Sequence, residues 1–120
     1  MIDRIRLTAI AKNQLSTIKR RTGIEHYNSI CRYALCLSLA NESRPPEEDF
    51  NFNGGLEIEW RVLTSGNDAL YLNMILTRIA LEEGSTREED VKRLCVSHIH
   101  RGLSYLVSDE EALLKLPGIV

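Results

Sequence analysis

From Leu56 to Leu63 the chain alternates apolar and polar residues, Leu, Ile, Trp and Val against Glu57, Glu59 and Arg61, which is the period of a half-buried strand. The pattern puts Trp60 on the side of Ile58 and Val62. No hairpin partner adjoins it. The preceding stretch, Asn41 to Gly55, holds Pro45-Pro46, the acidic run Glu47-Glu48-Asp49 and the pair Gly54-Gly55, and reads as a loop long enough to be functional. An isolated strand leaves a row of backbone donors and acceptors unpaired, so this one must find a partner far away in sequence. The segment that can serve is Ile2 to Leu7, an imperfect alternation with Arg4 and Arg6 on one face and Ile5 and Leu7 on the other. The pairing is open between one chain and two.

The remainder is helical in period. Thr8 is placed to cap a helix running to about Thr22, with Ala11, Leu15 and Ile18 on one stripe and Gly23 as its stop. A second helix, about His26 to Ala40, carries Tyr27, Ile30, Cys31, Ala34, Leu35 and Ser38 on one face and Cys36, Leu37 and Leu39 on another, so it is packed deeply or lies at a subunit contact. An apolar helix follows from about Asp68 to Glu83, stopped by Gly84. Thr86-Arg-Glu-Glu89 has capping-box form and opens a last helix to about Val107, with Val91, Cys95, Ile99, Leu103 and Leu106 on one face. Gly102 inside it points to close helix packing. A short tail ends at Pro117-Gly118. A chain of 120 residues, 43% hydrophobic, holds one core. The expectation is a single mainly α domain over 1–120, with four main helices and one or two short strands: a strand-helix-helix part to residue 40, a loop over 41–55, then a strand and two helices.

The net charge of -2 conceals an asymmetry. Residues 1–44 carry eight Lys/Arg against three Asp/Glu, a net of +5, and the rest carries seven against fourteen, a net of -7. An anionic partner would bind the first part. On the first helix Lys12 and Lys19 are seven residues apart with Ser16 between them, and Asn13 and Arg20 form a second pair beside them. Such a stripe suits phosphates, giving affinity without reading sequence. The opposing reading is that Lys19, Arg20 and Arg21 simply complement the dipole at the helix end. Arg4 and Arg6 add to the cationic side. Strand, helix, Gly23 turn and helix is also the order of a ribbon-helix-helix domain, in which strands of two chains pair and enter the major groove; Arg4, Arg6 and Thr8 would then face DNA, and the protein would be at least a dimer.

Catalytic and metal sets are not legible. Cys95 and His98 share a helix face, but His100 lies far around the helix and His26 stands alone. Glu57 and Glu59 share a strand face without a nucleophile, phosphate loop or metal motif beside them. No enzyme, cofactor or metal is expected. The three cysteines, Cys31, Cys36 and Cys95, match no disulfide framework, and no apolar run spans a bilayer, so a reducing, cytoplasmic setting is expected.

Leu7 to Ile24, with its Lys-Arg-Arg-Thr-Gly-Ile block, then Tyr27-Asn28, Cys31 to Ala40, Glu59-Trp60 and His98-Ile-His-Arg-Gly-Leu-Ser-Tyr-Leu106 resemble the DndE family of DNA sulfur modification proteins. Tyr27 stands where a Trp is expected. The resemblance implies a helical protein with a ribbon-helix-helix-like start, assembled as a homotetramer, binding double-stranded and preferentially nicked DNA. It further implies a non-enzymatic partner of the other subunits of a phosphorothioation complex. Lys19, Arg20 and Arg21 match its Lys-Arg-Arg block, and Lys12 matches its Thr-Ala-x-x-Lys. A sulfur relay through Cys31 or Cys36 is disfavoured by helix positions dense in Leu and Ala.

Overall fold

A computed structural model describes residues 1–109 and Glu111; the Pro117-Gly118 tail lies outside the described residues. Strands β1 (Arg4–Leu7) and β2 (Leu56–Glu59) pair antiparallel within one chain, with Arg4 opposite Glu59, Ile5 opposite Ile58, Arg6 opposite Glu57 and Leu7 opposite Leu56. The lone strand therefore finds its partner across the 41–55 loop. Side chains alternate across a strand, so Ile5, Leu7 and Ile58 enter the core while Arg4, Arg6, Glu57 and Glu59 share the exposed face. Gly55 permits the approach, since a Cβ there would overlap the Leu7 carbonyl.

The expected strand to Leu63 stops at Glu59. The Trp60 amide makes a last bond to the Asp3 carbonyl (2.8 Å), and residues Trp60–Leu63 then close one helical turn, α3. Burial follows the helical spacing there: Trp60 and Leu63 are buried, whereas Val62, placed beside Trp60 by the alternation, is 49% exposed. Ser65 and Gly66, both with positive φ, redirect the chain.

Helix α1 (Ala9–Thr22) begins and ends as its sequence dictates. Thr8 Oγ1 accepts from the Ala11 amide (3.1 Å), and Gly23 closes the helix at φ 75° with its amide on the Lys19 carbonyl (2.9 Å). Helices α2 (Tyr27–Leu39) and α5 (Glu88–Ser108) form the central pair. Their backbones meet at Gly102, where any Cβ would overlap the Ala34 carbonyl. Ile30, Ala34 and Leu35 of α2, Cys95, Ile99 and Leu103 of α5, and Leu15 of α1 fill the core between them. The start of α5 departs from the capping box. It begins at Glu88 with no side-chain cap from Arg87; Ser85 Oγ instead accepts from the Arg87 amide (3.2 Å) and donates to Asp90 (2.7 Å). Helix α4 (Asp68–Leu81) lies on α5 and fully buries only Ile75 and Ile79, leaving Leu70 58% and Leu81 78% exposed. No described helix is long and apolar enough to cross a membrane.

Candidate nucleic-acid interface

The buried stripe of Ala11, Leu15 and Ile18 fixes the rotation of α1, and so turns Lys12, Asn13, Ser16, Lys19 and Arg20 to solvent. Lys12 and Lys19 lie about 10.5 Å apart along the axis, at 1.5 Å per residue. Lys12 and Arg20 make no hydrogen bond or ion pair with any described residue. Lys19 holds its ammonium 5.7 Å from the centre of the Tyr27 ring, a cation–π contact that orients the head while leaving its donors free.

The other expected cations are placed differently. Arg21 turns to the end of α5, its Nη1 donating to the Val107 carbonyl (3.0 Å). Arg4 sits 3.6 Å from Glu57. Arg6 lies over the Phe52 ring at 5.3 Å. With Glu57 and Glu59 directly across the sheet, the Arg4/Arg6 face carries as many carboxylates as guanidiniums. A ribbon reading the major groove would bring those carboxylates against DNA, so the structure separates the basic helix from a charge-balanced strand face. Lys12 and Lys19 line a groove of about 660 Å³ together with Glu25, Tyr27, Glu57, Glu59 and Val62.

A second polar cluster, which sequence spacing does not suggest, caps the carboxyl end of α2. That helix has no basic residue in its last turn. Arg101 of α5 donates from Nε to Ser38 Oγ (2.8 Å), from Nη2 to the Ser38 carbonyl (2.8 Å) and from Nη1 to Ser43 Oγ (3.0 Å). Arg78 of α4 donates to the carbonyls of Leu39 and Asn41. Ser38 Oγ also shares a hydrogen bond with Nδ1 of His98 at 2.8 Å. His98 is fully buried, and that burial, reinforced by the two guanidiniums, lowers its pKa to about 4.

His100 fastens the 41–55 loop to the start of α1. Its Nδ1 donates to the Val96 carbonyl (2.8 Å), leaving Nε2 to accept from the Thr8 amide (3.3 Å), and Phe50 stacks on the ring at 4.3 Å. Burial lowers its pKa as well. The thiols move the opposite way: burial pushes Cys31 up to about 12 and raises Cys36 and Cys95. A thiolate, the nucleophilic form in sulfur transfer, is disfavoured at all three. Among the described residues no group of three His, Cys, Asp or Glu side chains could hold a metal ion.

These features define a small, mainly helical protein that turns three cations, Lys12, Lys19 and Arg20, to solvent from one surface helix. The model of the family described as "DNA sulphur modification protein DndE" matches residues 4–113, and the chain belongs to this family. Its fold is similar to the crystal structure of DndE from Escherichia coli B7A, described as involved in DNA phosphorothioation modification. The TM-score is 0.74 at 19% identity, covering 88% of this chain and 98% of that one. No curated protein matches the chain.

Proposed function

We propose that this chain is a non-catalytic, DNA-binding accessory subunit of a DNA phosphorothioation complex, holding the duplex backbone with Lys12, Lys19 and Arg20. The observation that carries the reading is the state of the cations on α1. Lys12 and Arg20 are unpaired among the described residues and Lys19 keeps its donors, all on the outer side of one rigid helix. Family membership supports the sulfur-modification setting. Two ammonium groups about 10.5 Å apart along the axis, with a guanidinium beside them, suit a contact that tracks phosphates and binds duplexes regardless of sequence; a preference for nicked duplex is carried by the family resemblance alone. Arg4 and Arg21 contribute at the margin, since each already has a polar partner inside the protein, and Arg6, held over Phe52, shares its face with Glu57 and Glu59.

Assembly as a homotetramer in the cytoplasm belongs to the same reading. Its support is α4, whose exposed Leu70 and Leu81 carry apolar surface a subunit contact would cover. The test combines light scattering with an electrophoretic shift on intact and nicked duplexes, for wild type and Lys12→Gln/Lys19→Gln. The expected result is a tetramer in both, a shift on either duplex that is stronger when nicked, and at least about tenfold weaker binding by the variant. Partner capture with no DNA shift at low salt would contradict the reading and leave a scaffold that does not contact DNA.

A further inference from the structure

Lys19 differs from Lys12 and Arg20 in what holds it. Its ammonium lies 5.7 Å from the centre of the Tyr27 ring, whereas Lys12 and Arg20 have neither a ring nor a polar partner among the described residues. The ring itself stands on a fixed base. The left-handed Gly23 turn brings the chain back so that Tyr27 opens α2 beside the last turn of α1. Tyr27 packs half-buried against the core, and next to it the Asn28 side-chain amide donates to the Val62 carbonyl (3.1 Å). Lys19 and Tyr27 both line the groove described above.

We infer that Tyr27 is a positioning residue of the proposed contact, holding the Lys19 ammonium in place before the phosphate arrives. The inference rests on the reading of α1 as a phosphate-binding surface. A solvated lysine is long and rotamer-rich, and it loses much of that freedom when its head is fixed on a phosphate. The Tyr27 ring removes part of the freedom in the unbound protein, so less is left to lose on binding. The attraction is between the positive head and the negative face of the ring, and an ammonium has three N–H donors, so one head can keep the ring and still donate to a phosphate oxygen. The ring therefore adds affinity through Lys19 while the number of phosphates neutralised stays the same. Lys12 and Arg20 receive no such help, because nothing in the described chain restrains their heads.

The test is a double-mutant cycle on the full-length protein, with the affinity for one duplex measured by fluorescence anisotropy over a salt series and folding followed by thermal melting. Tyr27→Leu, Tyr27→Phe and Tyr27→Trp are each made in the wild-type and Lys19→Gln backgrounds. With Lys19 present, Tyr27→Leu is expected to weaken binding roughly two- to fivefold, the worth of one exposed cation–π contact, with an unchanged slope of log affinity against log salt. Tyr27→Trp is expected to bind up to about threefold tighter than Tyr27→Phe, since an indole attracts a cation more strongly than a phenyl ring. Both differences vanish in Lys19→Gln. Equal losses with and without Lys19 assign the ring to the fold alone and overturn the inference, as does unchanged or tighter binding by Tyr27→Leu. Should Tyr27→Leu fail to fold, the Trp and Phe variants decide, and equal affinity for the two overturns it. Those outcomes leave the role of α1 standing; absence of lysine-dependent binding by wild type overturns that role, and the inference with it.

Discussion

Two groups of cationic side chains sit in this chain under opposite conditions. Arg78 and Arg101 are turned onto the carboxyl end of α2, where they satisfy the carbonyls of Ser38, Leu39 and Asn41. Lys12 and Arg20 stand outside α1 with no bond to any described residue. The residue types and the helical setting are alike; what differs is whether the protein has already used the donors. Partly buried guanidiniums on carbonyls hold the fold, because removing one leaves acceptors without water or partner. Unspent cationic groups over solvent add little to the fold and remain available to an outside anion. Changes in the first region should therefore act on stability, and changes in the second on binding.

The largest effect is expected where α2 and α5 touch. Gly102→Leu drives a side chain into the Ala34 carbonyl and should cost about 3 kcal/mol or more, on the order of the severe overpacking losses, read as a collapse of the urea midpoint. Next is Arg101→Met, which keeps the packing stem but strips Ser38 of two donors; a loss of about 2–3 kcal/mol is expected, with DNA affinity per folded molecule unchanged. A clear loss of affinity at full folding would break the division between the regions.

The pH dependence sharpens it further. The folded pKa of His98, about 4, lies below the 6.5 of an unperturbed histidine, so the unfolded chain binds the extra proton first. The stability this group confers is complete above about pH 6.5 and is lost as pH falls toward 4. His100 shifts in the same direction and adds to the loss. Urea midpoints between pH 7 and 5 should show a fall on the order of 2 kcal/mol, much reduced in His98→Gln. Equal slopes in both proteins would remove His98 from the account. The smallest effect is expected for Lys12→Gln/Lys19→Gln, within about 0.5 kcal/mol of wild type in stability.

The α1 side of this comparison was legible in the sequence because its determinants are local. Thr8, the Ala11, Leu15 and Ile18 stripe and Gly23 set its ends and rotation within sixteen consecutive residues, and the rotation alone decides which lysines face out. The hub at the end of α2 was hidden because its partners lie 60 residues or more from Ser38, and no periodicity links Ser38 to His98 or Arg101. The alternation through Leu63 misled beyond Glu59 because Trp60 and Leu63 also satisfy the three-residue spacing of a helical turn, and the turn into α4 selected that spacing. The charge asymmetry singled out the basic first part of the chain, yet could not show that Arg4 and Arg21 were already engaged, since Glu57 and Val107 meet them only in the fold.

The central claim is that the free cations of α1 hold DNA through its phosphates. It is tested most directly by the salt dependence of duplex affinity for wild type and Lys12→Gln/Lys19→Gln/Arg20→Gln. Every phosphate that a substitution releases from the protein lowers the slope of log affinity against log salt by about one unit. The account predicts a slope shallower by about two to three units per engaged protomer, with the melting curve unchanged; an identical slope and affinity in a folded variant would contradict it.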